Sequence, residues 1–156
     1  MSSAEVDAFW QAYLGSLPAD HAERSRAYEV WRFGHDARLG NQLAELARSG
    51  IKTATSGLVW EDEVEGVCPP QVGEIFVVTN WNGEPRCIIE IVEVEVRPFN
   101  QVDEQFAFDY GEGERSLAWW RRALWAFYAK ICESLGREPS ETMRLVCLRF
   151  RLLLAA

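Results

Sequence analysis

Lysine is nearly absent from this 156-residue chain, which carries two lysines, Lys52 and Lys130, against fourteen arginines. Arginine keeps its charge under almost all conditions, whereas a desolvated lysine can lose its proton and act as a base or a nucleophile. Lys52 stands in the run Gly50-Ile51-Lys52-Thr53-Ala54-Thr55, where the Thr55 hydroxyl follows it by three residues. Lys52 and Thr55 are therefore the first candidates for a reactive pair.

Long apolar runs and an excess of basic residues are also missing. No apolar run approaches the roughly 18 residues that a membrane span needs, and no basic segment followed by an apolar one marks a signal peptide. The sequence therefore predicts a cytoplasmic protein with no membrane partner. The net charge of −8 argues against a broad basic face for duplex DNA, although a small pocket for one nucleotide is compatible with it.

Cysteine and histidine are scarce, at four and two residues. No Cys-x-x-Cys pair occurs, and the histidines lie far from the cysteines in sequence, so neither a zinc site nor another metal or cofactor is predicted. Free thiols are the expected state of the cysteines. The residues concerned are Cys68, Cys87, Cys132, Cys147, His21 and His35.

Hydrophobic residues make up 48% of the chain, enough for one folded domain with a substantial core. Ser2 is in position to cap the first helix. Apolar periodicity and the turn pair Asn82-Gly83 predict helices over 4–17, over 20–31 and from after Phe33-Gly34 to Gly50, strands over 51–60, 74–80 and 86–97, a loop over 61–73, a short helix over 101–109, a long helix from Arg115 to Gly136 and a strand over 144–154. Helices set apart from a mostly antiparallel sheet predict an α+β fold.

A charged side chain falls on the predicted inner face of the strand over 86–97. Val92, Val94 and Val96 alternate with charged residues, which predicts that even-numbered positions face the core. Glu90 shares that face, and an isolated buried carboxylate is too costly to keep unpaired. Glu90 is therefore either a functional acid or a glutamate near the strand end that reaches solvent or an arginine.

Seven short motifs follow one another along the chain and can be compared with known families. They are Trp31-x-Phe33-Gly34, Gly50-Ile51-Lys52-Thr53-Ala54-Thr55, Pro70-x-Val72-Gly73, Ile88-Ile89-Glu90, Pro98-Phe99-x-x-Val102, Gly111-Glu112-Gly113-Glu114-Arg115-Ser116-Leu117-x-x-Trp120 and Val146-Cys147-x-Arg149-Phe150. Together they resemble the ASCH domain family of the PUA-like superfamily, in its bacterial subgroup with Gly-x-Lys-x-x-Thr and Gly-Glu-Gly-Glu/Asp-Arg-Ser-Leu motifs. The resemblance covers about residues 28–152.

This resemblance implies a fold and a division of the chain. The fold is a partly closed antiparallel β-barrel flanked by helices. The ASCH domain would occupy residues 28–156, behind an N-terminal helical extension over residues 1–27. The implied partner is a nucleoside or single-stranded RNA, and the chain would act as a monomer or homodimer.

The resemblance also implies an activity and its residues. Some small members look like amidohydrolases that remove the acyl group of N4-acetylcytidine with a Lys, a Thr and a Glu, and ribonuclease activity is associated with the family. Carried over, the Lys is Lys52 and the Thr is Thr55, with Glu112 or Glu90 as the acid. A desolvated Lys can take the Thr proton while a carboxylate orients it or shuttles the proton. The candidates for substrate binding are Trp31, Phe33, His35, Tyr110, Arg115 and Trp120, of which the tryptophans and Phe33 are alternatively core residues.

Several positions depart from the subgroup pattern, and the departures open two alternatives. Tyr110 stands where the first Glu of the glycine-rich segment is usual, and neutral or apolar residues replace further acids and a His at other positions. The chain is then a non-catalytic module that binds RNA or a small ligand. Otherwise its active site is altered or engineered, with imine formation at Lys52 or ester cleavage by His35 and a cysteine. The further departures are His35, Asn41, Gln42, Leu124 and Leu148.

Overall fold

The fold combines helices with the five strands of one sheet, in a computed structural model that describes residues 3–156 apart from the side chain of Glu23. The strand order in the sheet is β1-β3-β4-β5-β2. Strand β1 pairs parallel with β3, whereas the pairs β3–β4 and β2–β5 are antiparallel. The elements are α1 (Ala4–Ser16), β1 (Glu29–Arg32), α2 (Ala37–Arg48), β2 (Ala54–Leu58), α3 (Val59–Glu65), β3 (Ile75–Thr79), β4 (Pro85–Pro98), α4 (Glu104–Tyr110), α5 (Leu117–Ser134) and β5 (Arg144–Ala155), with 3₁₀ turns at Ala22–Ser25 and Phe99–Gln101.

Side-chain caps begin four of the helices. Ser3 accepts a hydrogen bond from the Val6 amide in α1, and Asp36, Asp103 and Ser116 do the same for α2, α4 and α5. Each cap satisfies one of the amides that the first turn of a helix leaves without a partner. Ser2, the cap predicted for α1, lies outside the described residues.

The predicted α+β class is confirmed, but two elements differ from the sequence prediction. The predicted helix over 20–31 is wrong: it contains a 3₁₀ turn and then β1, because Val30 and Trp31 pair with β3 instead of continuing a helix. The segment 61–73, which was predicted as a loop, is helical in its first residues, because α3 extends to Glu65. Acidic residues occupy the first turn of α3, where the helix dipole favours them, and Gly66 ends the helix in the left-handed conformation.

The predicted hairpin at Asn82-Gly83 is confirmed, since β3 and β4 pair on either side of it. The predicted inward face of β4 is only partly correct. Glu90 is buried at 9% exposure, but Val92 and Val96 are 44% and 53% exposed. Residues 87–91 are all buried, whatever their parity, so the alternation of buried and exposed positions is absent there and did not establish the environment of Glu90.

The chain forms two compact units. The first comprises the residues up to Gly50, Gly73–Glu90 and Arg151–Ala156, and the second comprises Ile51–Val72 and Ile91–Phe150. In the first unit, α1 packs its apolar side onto β3 and β4. The helix predicted as part of an N-terminal extension thus contributes to the core of this unit, through Val6, Trp10, Tyr13, Ile75, Val77 and Ile88.

The second unit holds the larger cluster of buried side chains. Helices α4 and α5 pack against β2 and the first half of β5, and the buried stripe of α5 contains Trp120, Leu124, Tyr128 and Ile131. Its spacing of three and four residues is that of one helix face. Among the described residues, no helix combines the length and the apolar character required to cross a membrane.

Candidate functional site

Lys52 lies completely buried in the second unit, just before β2. Its Nζ donates to the carbonyl of Ala54 at 2.7 Å, to the carbonyl of Tyr110 at 3.2 Å and to Glu112 Oε2 at 2.7 Å. The same Nζ is 3.6 Å from the centre of the Tyr110 ring. Lys52, which the sequence analysis selected as a candidate, therefore forms a buried ion pair with Glu112.

The three acceptors define the protonation state that this geometry fits. An ammonium has three N–H groups to donate, whereas a neutral amine has two and keeps a lone pair. Burial lowers the pKa of Lys52, while the charge and hydrogen bond of Glu112 raise it. The contacts are those of a cation with each donor occupied, which gives no support to the alternative that Lys52 forms an imine.

Backbone contacts hold the segment around Lys52 against the end of α4. The Asp109 carbonyl accepts from the Thr53 amide at 2.8 Å, and the Thr53 carbonyl accepts from the Phe150 amide at 3.0 Å. Gly111 ends α4 with a φ of +74° and lies so close to Ile51 that a Cβ would meet its carbonyl oxygen at 2.5 Å. Glycine is needed there, since other residues would clash and would be strained at that φ.

Hydroxyl groups of β2 face two buried tyrosines. Ser56 Oγ lies 3.1 Å from the Tyr110 hydroxyl and 2.6 Å from the Tyr128 hydroxyl. Burial raises the pKa of Tyr110, and the negative charge of Glu112 raises it further, against hydrogen bonds from Ser56 and Thr55. Thr55 is buried and pairs with Leu148 of β5 in the sheet register. Thr55 and Tyr110 thus belong to the same group of side chains as Lys52.

Two residues of this group were not predicted. Ser56 and Tyr128 link the hydroxyl of Tyr110 to β2 and α5, and no sequence motif marks either of them. A signal for Tyr128 was nevertheless available. It follows Trp120 and Leu124 at helical spacing, so it falls on the buried stripe, where a phenol requires a hydrogen-bond partner.

Trp120, a predicted stacking surface, lies instead in the core of the second unit. It is fully buried between Phe99, whose ring centroid is 5.2 Å away, and the edges of Phe106 and Tyr110. It therefore presents no exposed face to a base. Its indole Nε1 has no hydrogen-bond partner among the described residues.

Arg115 borders an open cleft of about 450 Å³ at the start of α5. Its guanidinium lies 3.7 Å from the centre of the Phe108 ring and donates to the carbonyls of Phe108 and Ile51. Phe108 is 50% exposed, so one aromatic surface and one cation face solvent together. The other residues lining the cleft are Glu104, Gln105, Ser116 and Leu117.

Arg115 has a φ of +61° although it is not a glycine, which makes a pair of substitutions informative. Arg115→Gly and Arg115→Ala both remove the side-chain contacts, but only alanine keeps the strain of the left-handed conformation. We expect the alanine variant to be less stable by about 1 kcal/mol, measured as the free energy of unfolding in urea. Equal stability of the two variants would contradict this assignment of strain.

The other predicted site residues lie in the first unit. Glu90 accepts from Arg26 Nη1 at 2.8 Å and from Arg151 Nε at 3.0 Å, and these arginines lower its pKa against the effect of burial. The sequence left two possibilities for Glu90, a functional acid or a glutamate that reaches solvent or an arginine. Its contacts are those of a glutamate paired with arginines. Phe33 is buried against Trp31, with ring centroids 5.2 Å apart, while His35 is exposed.

The cysteines are free, and three of them are buried. Burial raises the pKa of Cys87 and of Cys147 to about 12. A thiol with so high a pKa is a weak nucleophile near neutral pH, which gives no support to ester cleavage by a Cys–His pair. Among the described residues, no group of three His, Cys, Asp or Glu side chains is arranged to hold a metal ion.

Comparisons with known proteins place the chain in a family. The family model described as ASCH domain matches residues 29–154. A crystal structure of an ASCH domain from Lactobacillus crispatus JV V101 is 38% identical, with a TM-score of 0.89 over 97% of this chain and 96% of that one. A crystal structure of a protein from Enterococcus faecalis V583 is 28% identical, with a TM-score of 0.80 over 95% and 87% of the two chains.

A search of curated proteins gives no match. The family model covers most of the chain, and the similarity to the Lactobacillus domain extends over nearly the whole of both chains, including the region of α1. These likenesses confirm the α+β, PUA-like fold that the ordered motifs predicted. The chain belongs to the ASCH domain family.

Proposed function

We propose that this protein is a hydrolase that removes the acyl group from an acylated nucleobase, with N4-acetylcytidine as the representative substrate. The observation that carries the proposal is the enclosed ion pair of Lys52 and Glu112, with Nζ and Oε2 separated by 2.7 Å. Thr55 is buried and hydrogen-bonds to Tyr110, whose ring lies against the Lys52 ammonium. A buried charge pair is costly to assemble and is typical of sites that use it. Thr55 supplies a hydroxyl that can attack a carbonyl.

The contacts of Lys52 suggest a division of roles. Because its three donors are occupied, Lys52 acts as a fixed cation, and Glu112, whose side chain is 13% exposed, acts as the base. Glu112 takes the Thr55 hydroxyl proton while the oxygen bonds to the acyl carbon. The C–N bond then breaks, and the proton passes from Glu112 to the leaving nitrogen. Water hydrolyses the resulting ester and restores Thr55.

Substitutions at Lys52 and Thr55 test this proposal. We expect Lys52→Met to lower the rate of acetate release from N4-acetylcytidine at least about 100-fold, because the cation that pairs with the base is lost. Thr55→Val should abolish turnover by removing the nucleophile.

Lys130→Met is the matched control, since Lys130 is exposed on α5. It should leave the rate unchanged. Circular dichroism spectra of each variant check that it is folded. Equal turnover by wild type and Lys52→Met would show that the assigned mechanism is wrong.

A second candidate is a binding module without catalysis, favoured by the cleft at Arg115. An exposed aromatic ring beside a guanidinium suits a base and phosphate of single-stranded RNA. Filter binding of a short single-stranded RNA should then weaken in Arg115→Ala and with added salt. Binding with no detectable deacylation favours this candidate, and robust deacylation eliminates it.

A further inference from the structure

Tyr110 contacts Lys52 with two different groups. Its backbone carbonyl accepts from Nζ at 3.2 Å, and its ring centre lies 3.6 Å from the same atom. Tyr110 is also the last residue of α4, whose C-terminal carbonyls carry partial negative charge. An electron-rich ring and a helix end therefore both face the buried ammonium.

The ring acts on a charge that is fully buried from solvent. A cation over an aromatic face is stabilised most strongly where it is desolvated, and Lys52 is 0% exposed. A neutral amine gains little from the same face. The ring of Tyr110 and the carboxylate of Glu112 thus act together against the cost of burying the charge.

Hydrogen bonds fix the position of the ring. The Tyr110 hydroxyl lies 3.1 Å from Ser56 Oγ, which in turn lies 2.6 Å from the Tyr128 hydroxyl. Ser56 belongs to β2 and Tyr128 to α5, so the phenol is tied to two elements besides its own. The ring edge also packs against Trp120, with centroids 5.9 Å apart. These contacts within the protein hold the ring in place.

We propose that Tyr110 is a positioning residue that keeps Lys52 as a triply hydrogen-bonded ammonium, so that Lys52 serves the site as a fixed cation. The aromatic ring is the essential part, and the hydroxyl chain to Ser56 and Tyr128 holds it over Nζ. The consequence for catalysis rests on the proposed function, whereas the protonation state of Lys52 does not depend on it.

Arg115 and Asp109 are charged residues that contact the neighbours of Lys52 in the chain. Glu112 is the charged side chain that shifts its pKa, and Arg115 reaches the neighbouring carbonyl of Ile51 at 3.4 Å. The Asp109 carboxylate pairs with Arg149 at 3.3 Å. Among the contacts described, Glu112 supplies the counter-charge of Lys52, and the Tyr110 ring and the carbonyls of Ala54 and Tyr110 also stabilise the ammonium.

The presence of only two lysines makes a direct test possible. Protein labelled with ¹⁵N-lysine gives two side-chain signals, and the exposed Lys130 serves as the internal reference. In the wild type we expect Lys52 to appear at neutral pH as an ammonium whose protons exchange slowly with water. A neutral amine at neutral pH in the wild type would overturn the proposal, whatever the variants do.

Two substitutions separate the ring from the hydroxyl. Tyr110→Phe keeps the ring and should leave Lys52 an ammonium at neutral pH. Tyr110→Leu removes the ring, and we expect the titration midpoint of Lys52 to fall by about one unit relative to Tyr110→Phe. Equal midpoints in the two variants would overturn the proposal.

Kinetics separate this proposal from the proposed function. If the protein deacylates N4-acetylcytidine, Tyr110→Leu should lower kcat at least about tenfold more than Tyr110→Phe, with a smaller effect on KM. The pH profile of Tyr110→Leu should also change at its alkaline side. If no variant or wild type turns over this substrate, the proposed function fails while the lysine titration still decides the role of Tyr110.

Discussion

Glu112→Gln is expected to destabilise the fold by about 3 kcal/mol at neutral pH and to abolish deacylation. The substitution leaves the ammonium of Lys52, which is 0% exposed, without its counter-charge. Glutamine can still accept a hydrogen bond, but it neither balances the charge nor takes a proton. Urea denaturation gives the change in the free energy of unfolding, and acetate release gives the change in rate.

This loss of stability should depend on pH in a defined direction. Burial already lowers the pKa of Lys52 below its ordinary value of 10.5, and Glu112 opposes that effect. Without Glu112 the folded-state pKa falls further, so the penalty for a charged Lys52 is largest at neutral pH. As the pH rises towards 10.5, Lys52 loses its proton in both proteins and the difference in stability should shrink.

Glu114→Gln is the control for this experiment, because Glu114 is an exposed glutamate of the same glycine-rich segment. It should change stability by less than about 0.5 kcal/mol at every pH. A stability deficit of Glu112→Gln that stays constant up to alkaline pH would contradict a charged Lys52 as its cause.

Gly111→Ala is expected to disrupt the site more severely than its size suggests. The new Cβ would lie 2.5 Å from the Ile51 carbonyl oxygen and 2.7 Å from Lys52 Cα, both of which are backbone atoms. The segment carrying Lys52 must move, at a cost of roughly 3 kcal/mol when the left-handed φ is included. We also expect at least about a tenfold loss of activity, because the Lys52 ammonium is displaced.

Gly136→Ala isolates the backbone part of this effect. Gly136 has a φ of +70°, and no described atom lies within 4 Å of the position that an alanine methyl group would take, so alanine there meets strain without a clash. It should cost about 1 kcal/mol and leave activity intact. Similar losses in thermal unfolding and activity for the two alanine variants would show that close approach to Lys52 is not what makes Gly111 necessary.

The sequence was most informative where the same motifs predicted both the fold and the residues of the candidate site. Lys52 and Glu112 were both selected from the ordered motifs, and they form an ion pair. The α+β class followed from periodicity, since apolar stripes such as that of α5 depend only on local spacing. The distance between Lys52 and Glu112 could not be predicted from the sequence, because it depends on how α4 ends next to β2.

Other features depended on contacts that one sequence does not encode locally. The prediction for Glu90 required knowledge of Arg26 and Arg151, which are distant in the chain and satisfy the carboxylate together. The strand β1 was missed because its short segment gains its structure from pairing with β3. Tyr110 contacts Lys52 through its backbone carbonyl as well as its ring. Because every residue has a backbone carbonyl, the sequence could not indicate that contact.

The pairing of β2 also has a consequence for the order of folding. Ala54 and Leu58 at the ends of β2 pair with Arg149 and Leu145 of β5, which are synthesised far later in the chain. Pairings between such distant segments form slowly, because a long loop must close before any contact is gained. On the ribosome, β2, the strand that follows Lys52, therefore cannot complete its pairing until β5 has emerged.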